Sequence, residues 1–233
     1  MQPPSTQPPT PTDGLQAVLF DMDGVLVDSE PLWFQAETMV MARLGGSWGE
    51  GDQHALLGGS MDVTVAYLLE RGTRLVEPAV VETWLTGRMT ELLASGPLPV
   101  MPGARELVAE VSAAGLPYGL VTSSERAIMD AVLARFSPGF PVTVCAEDVA
   151  RCKPDPEGYL LAAEKLSVDP RACVVMEDSR NGVAAAEAAG CLVVAVPGAV
   201  PIPSAPGRVV VSSLAGVRLA WLRSQYARLR PEL

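Results

Sequence analysis

Positive charge is scarce in this chain and histidine almost absent. Of 233 residues, 17 are Lys or Arg against 27 Asp or Glu, for a formal net charge of −10. No basic stripe offsets that balance, so neither a nucleic acid nor an anionic membrane surface is an expected partner. The single histidine, His54, reads as a surface or packing residue, and no zinc-ligand spacing surrounds it. There is no G-x-S-x-G elbow and no Walker lysine motif, which removes two common routes to hydrolysis. No apolar run reaches the 18 residues of a membrane span, and the first residues have neither the basic cluster nor the apolar stretch of a secretory signal. The four cysteines (Cys145, Cys152, Cys173, Cys191) contain no CxxC pair, and three lie in or beside apolar strand-like runs. A reduced, cytoplasmic setting is the expectation.

What is present is an alternation of short apolar runs with helical periodicity. Residues 1–13 carry five prolines and read as a disordered tail. Strand-like runs follow at Leu15–Phe20, Tyr118–Val121, Val142–Cys145, Ala172–Met176, Leu192–Val196 and Arg208–Val211. Helical patterns at Ala104–Ala114, Glu125–Phe136, Pro156–Leu166 and Ser179–Ala189 lie between them, which predicts a doubly wound, Rossmann-like α/β core with a parallel sheet. From about Glu30 to Gly96 the alternation stops. That stretch offers helices at Leu32–Leu44, Met61–Glu70 and Glu77–Leu93, with breaks at Gly45–Gly51 and Gly58–Ser60. It reads as an inserted helical cap over residues 30–96, with 14–29 and 97–233 forming the core domain.

Ligands of open parallel sheets bind at the carboxyl ends of the strands. There the sequence delivers Phe20-Asp-Met-Asp-Gly24, Val121-Thr-Ser-Ser124, Lys153-Pro154 and Glu177-Asp178-Ser179. Each has an ordinary use: Asp-Gly in turns, Thr, Ser, Asp or Glu at helix starts, lysine at the surface. Together they suggest chemistry. Asp21 is a carboxylate able to act as a nucleophile, and Asp23 a carboxyl able to protonate a leaving oxygen. Several carboxylates at one edge repel unless a cation sits among them, and hard oxygen ligands suit Mg²⁺. Thr122 and Ser123 can hydrogen-bond phosphate oxygens. Lys153, one of two lysines against fifteen arginines, can keep Asp21 ionised and neutralise a phosphate.

In this order the four motifs resemble the haloacid dehalogenase (HAD) superfamily, in particular its phosphatases and phosphomutases with a small helical cap. The resemblance covers nearly the whole chain after residue 13. It implies that Asp21 is the nucleophile, Asp23 the general acid/base, Thr122 and Ser123 phosphoryl ligands, and Lys153 a charge stabiliser. It also implies a Mg²⁺ site made by Asp21, the backbone carbonyl of Asp23 and Asp178, with Glu177 as a further ligand. The haloalkanoate dehalogenases of the superfamily lack the second aspartate and the metal site, so phosphoryl transfer is the expected reaction.

Mutases of the β-glucose 1-phosphate type, to which the chain is also similar, need cations for a second phosphate. Here Met61 stands where their cap arginine follows a Gly-x-Ser turn, Glu125 where they have a lysine, and Trp33 where they have a histidine. The start of the cap, Asp28-Ser-Glu-Pro-Leu-Trp33, resembles that of sugar-phosphate phosphatases. The expectation is therefore a monomeric, Mg²⁺-dependent phosphatase acting on a small phosphomonoester, with Trp33 and Gly59 as candidate substrate contacts. The alternatives are a phosphomutase and a non-catalytic sensor of phosphorylated ligands.

Overall fold

A computed structural model describes residues 14–230 except 57, 58 and 199. The proline-rich stretch 1–13, expected as a tail, lies outside the described residues. Among these residues six strands form one sheet in the order β3-β2-β1-β4-β5-β6, with every neighbouring pair parallel. They are β1 (Ala17–Phe20), β2 (Tyr118–Val121), β3 (Val142–Val144), β4 (Cys173–Glu177), β5 (Leu192–Ala195) and β6 (Arg208–Val210). The chain runs outward from β1 on one side through β2 and β3, then crosses to β4 and runs outward the other way. That reversal beside β1 leaves a crevice at the strand ends.

Helices cover both faces of the sheet. Strand residues alternate between two apolar layers: Val18, Phe20, Val174 and Met176 face one, and Ala17, Leu19, Cys173 and Val175 the other. On the first face lie α5 (Ala104–Ala113), α6 (Arg126–Leu133) and α9 (Leu219–Leu229); on the second lie α7 (Glu157–Leu166) and α8 (Arg180–Ala188). The sheet is thus buried on both sides, as its continuous apolar runs imply. No helix among the described residues is long and apolar enough to cross a membrane.

Between β1 and β2 come α1 (Glu30–Arg43), α2 (Glu50–Leu56), α3 (Met61–Arg71) and α4 (Pro78–Ala94), with no strand among their described residues. Helices α1 and α3 pack on α4, and α4 also rests on α6. Arg135 donates to the Leu93 and Gly96 carbonyls, satisfying groups that the end of α4 leaves unpaired. The two linkers to this helical layer are tied together. Asp28 N donates to Pro99 O (2.7 Å), Met101 N to Leu26 O (2.9 Å), and Val27 bridges Val100 antiparallel.

Three elements differ from the sequence expectation, and two of them, α2 and α9, are helices that it did not include. The break read at Gly45–Gly51 ends early, because α2 starts at Glu50; Asp52 reaches back to accept the Gly49 amide at 3.0 Å and caps the turn. Helix α6 stops at Leu133 instead of continuing to Phe136, whose ring turns to meet Phe140 just past Pro138, which cannot continue a helix. Helix α9 was not anticipated, although Leu219, Leu222 and Tyr226 bury one face of it at helical spacing.

Candidate active site

Strand register assembles the site. Phe20 lies opposite Leu120 on one side and Met176 on the other, so one step further each strand presents Asp21, Val121 and Glu177 at the same level. Lys153 reaches into this row from the loop before α7. Its ammonium contacts Asp21 Oδ1 and donates to Val121 O (2.9 Å) and Glu177 Oε1 (2.7 Å), a full use of three protons. The side chains of Lys153 and Asp21 are 8% and 9% exposed, so this ion pair is shielded from water and held by hydrogen bonds rather than by surface attraction.

Glu177 underlies the pair and is fully buried. Its Oε1 also accepts from Tyr159 Oη (2.7 Å), while Oε2 accepts from the amides of Asp178 (3.0 Å) and Ser179 (3.2 Å) and from Ser179 Oγ. Both oxygens therefore have partners already, and Glu177 does not line the cleft described below. The room for it is made by Gly182 in the first turn of α8: a Cβ there would lie 1.7 Å from Glu177 Oε1. Gly182→Ala is accordingly expected to displace Glu177, lower stability by about 1–3 kcal/mol and reduce kcat. Chemical denaturation and steady-state rates check both, and a variant matching the wild type in each would refute the packing account.

Three hydroxyls hold Asp23. Oδ1 accepts from Ser29 Oγ (2.5 Å), and Oδ2 from Ser124 Oγ (2.8 Å) with Thr122 Oγ1 further off at 3.5 Å. Ser29 occupies the N-cap position of α1 yet makes no capping bond, because its hydroxyl is turned to Asp23. The start of the helical layer is thus bonded to the second aspartate.

Asp178 completes the carboxylate group. Ligand oxygens of Asp21, Glu177 and Asp178 all lie within 4.8 Å of one another. Burial drives Asp178 well above the usual carboxylate range, and the charges of Asp21 and Glu177 add to it. Asp21 is pushed up as well, by burial first, with Lys153 opposing and Glu177 and Asp23 reinforcing. Lys153 is held above its ordinary value by Asp21 and Glu177. One ammonium cannot neutralise this many acids, and a hard divalent cation among the oxygens of Asp21 and Asp178 is the group that would. Gly24 supports the fit: at φ +73° it brings its backbone against Asp178, where a Cβ would lie 2.0 Å from Oδ2.

Above these groups opens a cavity of ≈ 110 Å³, which suits a compact ligand. Asp21, Asp23, Thr122, Ser123, Lys153 and Asp178 line its floor, with Trp33 and Gly59 among the residues of the helical layer. Met61 and Glu125, the other positions weighed for a second phosphate, line it too. Lys153 is the one cation among the described lining residues. A larger cavity of ≈ 660 Å³ lies on the far side of Asp178 and Ser179, but it holds none of Asp21, Thr122 or Lys153. His54 is exposed on α2. Sequence reasoning singled out neither Ser29 nor Ser124, although Ser124 closes a motif that it quoted and Ser29 lies at the quoted start of the cap. It also missed Tyr159, which looks like any apolar position on α7, and the cleft acids Glu30 and Glu37.

Glu37 is 3% exposed, and among the described residues its Oε2 has no hydrogen-bond partner. Burial pushes it up to about 8, with Glu30 adding and the Trp48 indole opposing. A folded value above the ordinary 4.5 means that the folded state binds the proton more tightly, so stability falls as pH rises across that interval. Glu37→Gln is expected to remove this slope. Its advantage over the wild type should grow by up to about 1 kcal/mol per pH unit between about pH 5 and pH 8, as read by urea unfolding. A constant difference would contradict the buried-acid account.

Fold and site together define a class: α/β enzymes that place carboxylates, hydroxyls and a lysine at the carboxyl edge of a parallel sheet. The family model for haloacid dehalogenase-like hydrolases matches residues 15–190, and the chain belongs to that family. It is 38% identical over 186 residues to hexitol phosphatase B of Escherichia coli (strain K12), covering 78% of this chain and 83% of that protein. It is 36% identical over 194 residues to the protein CbbY of Rhodobacter capsulatus, covering 78% and 86%. The crystal structure of CbbY from Rhodobacter sphaeroides in complex with phosphate is similar with a TM-score of 0.80 at 29% identity, covering 88% of this chain and 98% of that one.

Proposed function

We propose that the protein is a Mg²⁺-dependent phosphatase of a small phosphorylated carbohydrate, working through an aspartyl-phosphate. The observation that carries this reading is the buried Asp21–Lys153 pair beside a hydroxyl-bonded Asp23, all three facing one compact cleft. Asp21 attacks phosphorus; the P–O bond to the alcohol breaks as Asp23 gives its proton to the leaving oxygen. Asp23 then takes a proton from water, whose oxygen attacks phosphorus; the bond to Asp21 breaks and inorganic phosphate leaves. Ser29 and Ser124 aim the Asp23 carboxyl. Thr122 and Ser123 receive phosphoryl oxygens, and Lys153 balances the charge that spreads over them.

Bound Mg²⁺ would be held by Asp21, Asp178 and the backbone carbonyl of Asp23, and would neutralise phosphoryl oxygen while keeping Asp21 ionised. Glu177, expected from the sequence as a further metal ligand and grouped with Asp21 and Asp178, is read here as a positioning residue as well, because its oxygens already bond Lys153, Tyr159 and the start of α8. Helices α1–α4 serve as the cap, with the bonded linkers around Asp28 and Pro99 as its hinge. A mutase is disfavoured because Trp33, Met61 and Glu125 stand where a second phosphate would need cations, and Lys153 is the one cation among the described lining residues.

The test is phosphate release from a panel of phosphomonoesters, with Mg²⁺ and with excess chelator. Metal-dependent turnover is expected. Isomerisation that requires a bisphosphate activator, or binding without turnover, would overturn the proposal in favour of the mutase or the sensor.

A further inference from the structure

Beside the phosphoryl-binding groups the cleft is lined by acids from the helical layer and from the start of α6, set among Trp33, Leu56, Met61 and Thr64. Glu30, Glu37 and Glu125 line it, and Gln53 beside them has its own groups engaged: Nε2 donates to Glu30 Oε2 (3.0 Å) and Oε1 accepts from Trp48 Nε1 (3.4 Å). Glu37 stands out within this group. It sits on α1 with 3% of its surface exposed, lines the cleft, and has a buried Oε2 that meets no donor among the described residues. Glu125 Oε2 is buried and unpartnered in the same way. A buried acceptor without a donor is costly, so a ligand that supplies the donor gains more from that contact than it would in water.

Resting on the phosphatase reading, we propose that Glu37 determines substrate specificity: its carboxyl accepts a hydrogen bond from a hydroxyl on the carbon chain of a neutral polyol monophosphate. The same wall turns away substrates that bring a second phosphate or a carboxylate to that end, because among the described lining residues no cation other than Lys153 is there to receive one. A hydroxyl is preferred to an ammonium because burial raises Glu37 to about 8 and Glu125 to about 7, so that near neutral pH much of this wall carries no charge. A hydroxyl, which both donates and accepts, matches a neutral carboxyl as well as an ionised one.

The experiment measures kcat and KM for sorbitol 6-phosphate, 6-phosphogluconate, fructose 1,6-bisphosphate, glucosamine 6-phosphate and p-nitrophenyl phosphate. Wild type, Glu37→Gln and Glu37→Ala are compared, with Mg²⁺ present and folding checked by circular dichroism. For the wild type, sorbitol 6-phosphate is expected to exceed the carboxylate, bisphosphate and amine substrates. In Glu37→Ala the ratio of its kcat/KM to that of p-nitrophenyl phosphate should fall at least about tenfold, mainly through KM, with Glu37→Gln in between. The inference is overturned if both substrates lose equally in both variants, or if the wild type prefers the bisphosphate, the carboxylate or the amine. If Glu37→Ala does not fold, Glu37→Gln decides by the same ratio. Absence of wild-type turnover on every substrate, p-nitrophenyl phosphate included, is the separate failure of the phosphatase reading, and the inference falls with it.

Discussion

Asp21→Asn is expected to lower phosphate release by at least about 10⁴-fold without lowering stability. An amide of the same shape cannot form the aspartyl-phosphate, so the loss should appear in kcat and in trapping of the phosphorylated enzyme. The fold should tolerate the change, because Asp21 is a buried acid crowded by Glu177, Asp178 and Asp23 and only partly served by Lys153. Removing one negative charge relieves that crowding, as commonly happens where function holds a residue in an unfavourable setting. The thermal midpoint is therefore expected at or above that of the wild type. Phosphatase activity above about a hundredth of the wild type would remove Asp21 from the nucleophile role.

Lys153→Met should damage activity and stability together. Losing the ammonium removes the group that faces both Asp21 and the transferring phosphoryl, and a loss of about 10³-fold in kcat is expected. It also leaves Glu177, fully buried, without its counter-ion, at a cost of about 3 kcal/mol. The pH dependence follows from the sign of the shift. Without Lys153 nothing opposes the burial that raises the Asp21 carboxyl, so the stability deficit is small in acid and grows as pH rises. In the wild type Lys153 has a raised value, so its contribution is lost only as the solution becomes strongly alkaline. Adding Glu177→Gln to Lys153→Met should recover most of the stability and none of the activity. Unfolding curves for the single and double variants at acid and mildly alkaline pH decide the matter; a deficit independent of pH would show that the buried charge is not its cause.

Much of the architecture was legible in the order of residues. Short apolar runs fix strands buried on both faces, and the helical periodicity between them fixes parallel connections; the observed sheet follows that plan. Asp21, Asp23, Thr122, Lys153 and Asp178 were also legible, because each follows a strand or precedes a helix and so must arrive at the same edge. Ser29 and Ser124 were visible as residue types at motif ends, but their aim at Asp23 was not, since it depends on where α1 begins relative to β2.

Glu177 shows the limit most clearly. From its neighbours in the chain it is another acid beside Asp178 and a reasonable metal ligand. Its actual partners are Lys153, 24 residues earlier, Tyr159, 18 residues earlier, and the first turn of α8, none of which spacing alone connects. Glu37 is similar: on the helix it is one acid among polar and apolar neighbours, and only folding places it against the cleft without a donor. The sequence by itself determined which chemical groups exist, which elements form and that the groups meet at one sheet edge, because periodicity and strand direction are local properties. Tertiary structure alone decided which carboxyl is buried, which is saturated with partners and which is left without a donor. Those depend on burial and on partners distant along the chain.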